Sequence, residues 1–219
     1  VLTSRGLGDV YKRQLLIIAC EKGHTTLVEL LLKQPGIKIN RQDVPSTLVE
    51  IEGRTPLYVA CERGHLEVVE LLLKQPGIKI NQGYKSYTPL YVACYEGHLE
   101  VVKALLSTDG IDVNRPDDRG FTPLYAACDD GFLEIAKALL ANGADVNQAT
   151  NNGWTPLHNA CFMNYLDIVN VLLRQNGIDI NKATDKGQTP LWFAVMERNL
   201  YIVNALLRQD GIDINKACL

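Results

Sequence analysis

Residues 120–128 read Gly120-Phe121-Thr122-Pro123-Leu124-Tyr125-Ala126-Ala127-Cys128. After Gly131 follow Leu133-Glu134-Ile135-Ala136-Lys137-Ala138-Leu139-Leu140 and then Asn142-Gly143-Ala144-Asp145-Val146-Asn147. The Thr-Pro-Leu at the head of this stretch recurs at Thr55, Thr88, Thr122, Thr155 and Thr189, at intervals of 33, 34, 33 and 34 residues. A fixed period of that length marks a stacked helical array, in which each unit buries its apolar faces against its neighbours.

The residues of one unit account for its shape. Each Thr stands where a hydroxyl can accept from an orphan amide at a helix start, and the following Pro has no donor to leave unpaired at the first helical position. The first helix is short, because Gly23, Gly64, Gly97 and Gly131 follow and supply the left-handed conformation that ends it. A second helix such as Leu66-Glu67-Val68-Val69-Glu70-Leu71-Leu72-Leu73 spreads its apolar residues over more than one face, as a helix flanked on two sides must. Gly36, Gly77, Gly110, Gly143, Gly177 and Gly211 end the second helices and lead into exposed fingers.

This pattern resembles the ankyrin repeat. The resemblance covers six copies over about residues 16–217 and implies an all-α ankyrin-repeat solenoid of six helix-turn-helix units joined by β-hairpin-like fingers. The units fall at about 15–46, 53–83, 84–117, 118–150, 151–184 and 185–219, within a repeat domain over 15–219. Residues 1–14 lack repeat character and helical periodicity and resemble translated sequencing-adaptor sequence, so they are expected to stand outside the fold. The last unit keeps an internal apolar pattern at Leu200, Ile202, Val203, Leu206 and Leu207, as if the chain were a fragment of a longer array.

Composition limits the function. At 47% hydrophobic and 21% charged residues the chain can close a core, and no apolar run approaches the roughly 20 residues of a membrane helix. A net charge of −3 provides no basic field for phosphate backbones, so no nucleic-acid partner and no membrane insertion are expected. Cys20, Cys61, Cys94, Cys128 and Cys161 share one position of the first helix, which reads as a small buried packing site and not as a metal or disulfide site. Reduced thiols suit a cytoplasmic setting, or a nuclear one.

His24, His65 and His98 follow turn glycines, and His158 ends a Thr-Pro-Leu-His, so all four read as parts of the repeat. Asp117, Asp118, Asp129 and Asp130 read as a solvated acidic patch, since no Gly-punctuated ligand loop accompanies them. No phosphate loop, nucleophile elbow or zinc-protease motif is present; no catalytic residue, cofactor or metal is expected, and the chain reads as no enzyme.

What varies between units is a surface. The family resemblance implies protein binding through the finger tips and the inner, first-helix side of the concave face. By register these positions are Arg54, Glu62 and Arg63 in the second unit, and Tyr84, Lys85, Tyr87, Tyr95 and Glu96 in the third. The fourth supplies Asp118, Arg119, Phe121, Asp129 and Asp130, the fifth Asn151, Asn152, Trp154, Phe162 and Met163, and the sixth Asp185, Lys186, Gln188, Met196 and Glu197. The residue before Thr is Tyr87, Phe121 and Trp154 in three successive units, which stacking would set in a row as cover for neighbouring fingers or as binding anchors.

Three departures stand out. The first finger carries an insertion over 41–54, read as either an extension of the binding surface or a mobile loop. The third finger is short, with Ser86 where Gly is usual. In the fifth and sixth units the turn glycine becomes Asn164 and Arg198, so the last unit is expected to turn differently. The function implied is a non-catalytic protein-interaction scaffold, monomeric, with a protein partner whose identity the repeat does not encode. The alternative is the ankyrin regulatory or targeting region of a larger enzyme or channel.

Overall fold

The computed structural model of the chain describes residues 14–40 and 53–216. Residues 1–13 and 41–52, which hold most of the expected leader and most of the long finger, lie outside them. The first three helix pairs are α1 (14–21), α2 (Thr25–Leu32), α3 (Pro56–Glu62), α4 (Leu66–Leu73), α5 (Pro89–Tyr95) and α6 (Leu99–Leu106). The remaining three are α7 (Pro123–Asp129), α8 (Leu133–Ala141), α9 (Pro156–Phe162), α10 (Leu166–Leu173), α11 (Pro190–Met196) and α12 (Leu200–Leu207). Among the described residues there is no strand, only an isolated bridge between Tyr84 and Tyr87.

Two compact bodies divide between Asp112 and Val113. In the first, α3 packs on α5, and α4 packs on α2 and α6. In the second, α9 packs between α7 and α11, and α10 between α8 and α12. Within each body, then, first helices form one layer and second helices another, the arrangement of an all-α repeat solenoid.

The helix starts follow from the Thr-Pro pair. Thr55, Thr88 and Thr122 are extended N-caps whose hydroxyls accept from the N–H of Tyr58, Tyr91 and Tyr125 at 3.1, 3.0 and 3.1 Å. Thr155 and Thr189 do the same for His158 and Trp192 at 3.3 Å each. Such a cap stabilises a helix by about 1 kcal/mol, which matters for helices of only two turns.

The turn between paired helices needs a left-handed residue, and Gly64 shows a second demand. Its φ is +71°, and a Cβ there would lie 2.6 Å from the His98 ring, which packs over the turn and donates from Nε2 to the Glu62 carbonyl at 3.0 Å. Gly23 meets His65 and Gly131 meets Tyr165 in the same way.

The last turn does not depart from the others, contrary to the expectation from its sequence. Arg198 takes φ +55°, and the turn keeps the bonds Arg198 N–H to Val195 O and Asn199 N–H to Ala194 O at 3.0 and 3.1 Å. Helix stacking on both sides of the turn outweighs a conformational cost of about 1 kcal/mol.

A ladder of asparagines ties successive units. Asn147 donates to Gly177 O and accepts from Asp179 N–H, each at 2.8 Å; Asn40, Asn81, Asn114 and Asn181 bridge one unit ahead in the same two-bond way. Among the described residues the five cysteines of the first helices, Cys20, Cys61, Cys94, Cys128 and Cys161, are fully buried and form no disulfide. Burial pushes the Cys20 thiol up to about 12 and drives the other four up as well.

Candidate interaction surface

The fingers of the second body are hairpin-like turns. Asp117, Thr150 and Thr184 donate their N–H groups to the carbonyls of Phe121, Trp154 and Gln188 at 2.9, 2.8 and 2.9 Å. The side chains at these three positions close the turns from inside: Thr150 and Thr184 hydroxyls accept from Trp154 and Gln188 N–H at 3.1 and 3.2 Å. Asp117 is therefore no part of a solvated patch. It is buried, its Oδ1 accepting from the Arg119 and Phe121 N–H groups at 2.9 and 2.8 Å, whereas Asp118 and Asp130 are exposed. Adjacent fingers join where Asn151 donates from its backbone to Arg119 O and from Nδ2 to Asp118 O, at 2.9 and 2.8 Å.

In the first body, the short third finger is a two-residue loop, Lys85 at φ +46° and Ser86 at φ +71°, with Tyr84 and Tyr87 exchanging backbone hydrogen bonds at 3.0 and 2.9 Å. Both positive φ values are those of a type I′ hairpin, which favours Asn and Gly and here is built without them. Arg54 is half-buried: Nη1 donates to Glu62 Oε2 at 2.7 Å, and the guanidinium lies 5.8 and 5.4 Å from the Tyr58 and Tyr84 ring centres. Tyr58 and Tyr84 meet edge to face at 6.1 Å. Burial pushes the Tyr58 phenol up to about 12, the Glu62 carboxylate adding to the rise and Arg54 opposing it.

Arg63, more exposed, reaches Glu21 Oε1 at 3.3 Å. Tyr87 leans on Tyr91 at 5.0 Å, and Tyr91 stacks on Tyr95 at 6.4 Å with the planes 8° apart, so three rings step from the finger to an outermost, 49% exposed Tyr95.

In the second body, Arg119 lies 4.4 Å over Phe121 and pairs with Asp117, and Phe121 leans on Tyr125 at 4.8 Å. Asp129 Oδ1 accepts from Asn159 Nδ2 at 2.9 Å, a polar tie between α7 and α9. Trp154 sits in an aromatic cluster, 4.4 Å from Phe193, 5.7 Å from Phe162 and 6.3 Å from His158. Met163 caps the C-terminus of α9 and is exposed beside Phe162. Gln188 is half-buried and serves the turn through its backbone, its carbonyl accepting from His158 Nε2 at 3.1 Å.

Two of these contributors were not among the residues singled out from sequence. Asn159 and Phe193 occupy the position four after Thr, which reads Val59, Val92, Ala126, Asn159 and Phe193 along the units. The change of character at that place is the signal that could have found them.

His158 is held neutral. Its Nδ1 accepts from the Thr155 N–H at 3.0 Å and Nε2 donates to the Gln188 carbonyl, so both ring nitrogens are engaged. Burial lowers its pKa to about 4, against the opposing effect of the Gln188 bond. Protonated buried thiols and a neutral, doubly bonded imidazole supply no nucleophile or base near neutral pH. The geometry offers aromatic and charged contact area instead.

A family model for ankyrin repeats, written as three copies, matches residues 16–117, 110–184 and 151–218. A search of the curated proteins finds no match. Among the described residues no helix is long and apolar enough to cross a membrane. Ankyrin repeats are generally protein–protein interaction modules. With the family model and the helix-pair geometry covering the same residues, the chain belongs to the ankyrin repeat family.

Proposed function

We propose that the chain is a non-catalytic protein-interaction scaffold that binds its partner through the fingers and first helices. The observation that carries this reading is a contrast between neighbouring positions. The helix position of Cys20, Cys61, Cys94, Cys128 and Cys161 is constant and buried, giving way to an exposed Val195 only in the sixth unit, while the residue after it runs Glu21, Glu62, Tyr95, Asp129, Phe162 and Met196. Packing dictates the first position and leaves the second open to selection by a partner. Arg63, Tyr95, Asp129, Phe162 and Met163 are the direct contacts in this reading; Arg54, Tyr84, Tyr87, Arg119, Phe121, Trp154 and Gln188 shape the surface beneath or beside them. The unreactive thiols and the engaged His158 support a scaffold in preference to an enzyme.

The test is a quantitative capture of cell proteins on the full chain and on two variants. One carries Tyr95→Ser with Phe162→Ser; the other alters Lys103 and Lys137, exposed on second helices. The expected result is a partner retained by the second variant and lost by the first. Identical captures with both would overturn the assignment of the face.

A further inference from the structure

The second body carries an apolar patch that no packing requirement explains. Phe162 and Met163 lie at the C-terminal end of α9, which already has α7 on one side and α11 on the other, yet they remain 42% and 38% exposed. Met196, at the register of Phe162 on α11, is 58% exposed. Met196 shares the last unit with Val195 and Leu207, but their register positions are covered elsewhere in the chain, whereas that of Met196 stays open at Tyr95 and Phe162. The patch has a rigid floor: Phe162 meets Trp154 and Phe193 edge-on at 5.7 and 6.0 Å, and those two rings touch at 4.4 Å. Such a floor fixes one aromatic ring, while the two methionines beside it adapt their shape.

Negative charge borders the patch on both sides. The helix α7 ends in Asp129 with Asp130 as its C-cap, α11 is capped by Glu197, and none of α7, α9 or α11 has a basic residue in its last turn. Helix C-termini are themselves the negative ends of their dipoles, so the carboxylates and the carbonyl ends act in the same sense. The partner seen for Asp129 is the neutral amide of Asn159. Of the cations in this part of the body, Lys186 is exposed on a finger and Arg198 is exposed in the turn directly after Glu197.

Resting on the protein-binding function above, we propose that this patch receives an extended segment of the partner protein. The segment sets one bulky apolar side chain against Phe162, Met163 and Met196, with Lys or Arg on either side facing Asp129–Asp130 and Glu197. Neighbouring helices lie about 8–10 Å apart and an extended chain advances about 3.3 Å per residue, so each basic residue falls about three positions from the apolar one. A helical segment would need about twice that spacing at 1.5 Å per residue.

The test is selection of a random 12-residue peptide display library on the full chain, followed by fluorescence anisotropy with the enriched peptides. The expected sequences carry an apolar residue with Lys or Arg about three positions to each side. Phe162→Ser or Met196→Ser should weaken binding about tenfold, in the range of an interface anchor. Asp129→Asn and Glu197→Gln should each weaken it several-fold and flatten its salt dependence, with thermal unfolding unchanged in Met196→Ser and Glu197→Gln, which separate binding from packing. No enrichment, enrichment of peptides without flanking basic residues, or binding indifferent to Phe162→Ser would overturn the proposal. Peptides lost with Tyr95→Ser but kept with Phe162→Ser would overturn this site and leave the scaffold function standing, which the capture experiment decides separately.

Discussion

Replacing His158 with Tyr, the residue that the second, third and fourth units carry at the same place, should flatten the acid dependence of stability. In the folded chain the imidazole accepts at Nδ1 from Thr155 and donates at Nε2 to Gln188, and protonation would set two N–H donors against each other at Nδ1. Its pKa accordingly falls from the ordinary 6.5 to about 4, chiefly through burial. The unfolded chain gains its proton near 6.5 and the folded one near 4, so this contribution is complete above pH 6.5 and drains away as the pH falls to about 4. At 1.36 kcal/mol per pH unit the interval corresponds to roughly 3 kcal/mol, or about 6–12 °C in melting temperature for a chain of this size. Melting of both proteins by circular dichroism from about pH 7.5 to about pH 4 measures it, because carboxylate contributions common to the two cancel in the difference. Repeat arrays can open unit by unit, so hydrogen exchange at the Thr155 and His158 amides reads the same quantity locally. Parallel pH profiles for the two proteins would refute the reasoning, and so would an imidazole that titrates near 6.5 in the native state.

Asn147→Ala removes both bonds of one ladder rung and should cost about 1–3 kcal/mol, whereas Asn215→Ala, at an exposed side chain with no bridge among the described residues, should stay within about 0.5 kcal/mol; equal losses in urea unfolding would contradict the ladder. Phe193→Ala empties a buried site between Trp154 and Phe162 and should cost about 3–5 kcal/mol with a red shift of tryptophan emission, and an unshifted spectrum would argue against the cluster. Ser86→Gly relieves a side chain held at φ +71° and should stabilise by about 1 kcal/mol, measured by thermal unfolding, where a loss of stability would deny the strain in that hairpin.

How far the sequence could be read depends on the range over which each feature is encoded. The five Thr-Pro starts were legible because an N-cap is settled within four residues, Thr55 to Tyr58 for example. Arg198 points the wrong way because its conformational preference is local while its turn is held by packing of whole helices, and Asp117 points the wrong way because its sequence neighbour Asp118 is exposed. Comparison along the period corrects the second error: the register of Asp117 is that of Thr150 and Thr184, all three short oxygen-bearing side chains that can accept turn amides. The same comparison isolates Phe193 among Val59, Val92, Ala126 and Asn159, and finds an Asn in every unit from Asn40 to Asn215. What it cannot yield is exposure. Phe162 and Trp154 are both aromatic and only eight positions apart, yet one forms surface and the other much of the floor beneath it, because Phe193 from the next unit closes over Trp154. Repeat registers therefore separate the residues that build the array from those that vary, and contacts between units then divide the varying ones into support and surface. On this array that division leaves Tyr95 and Phe162, after Cys, more exposed than Tyr87, Phe121 and Trp154, before Thr.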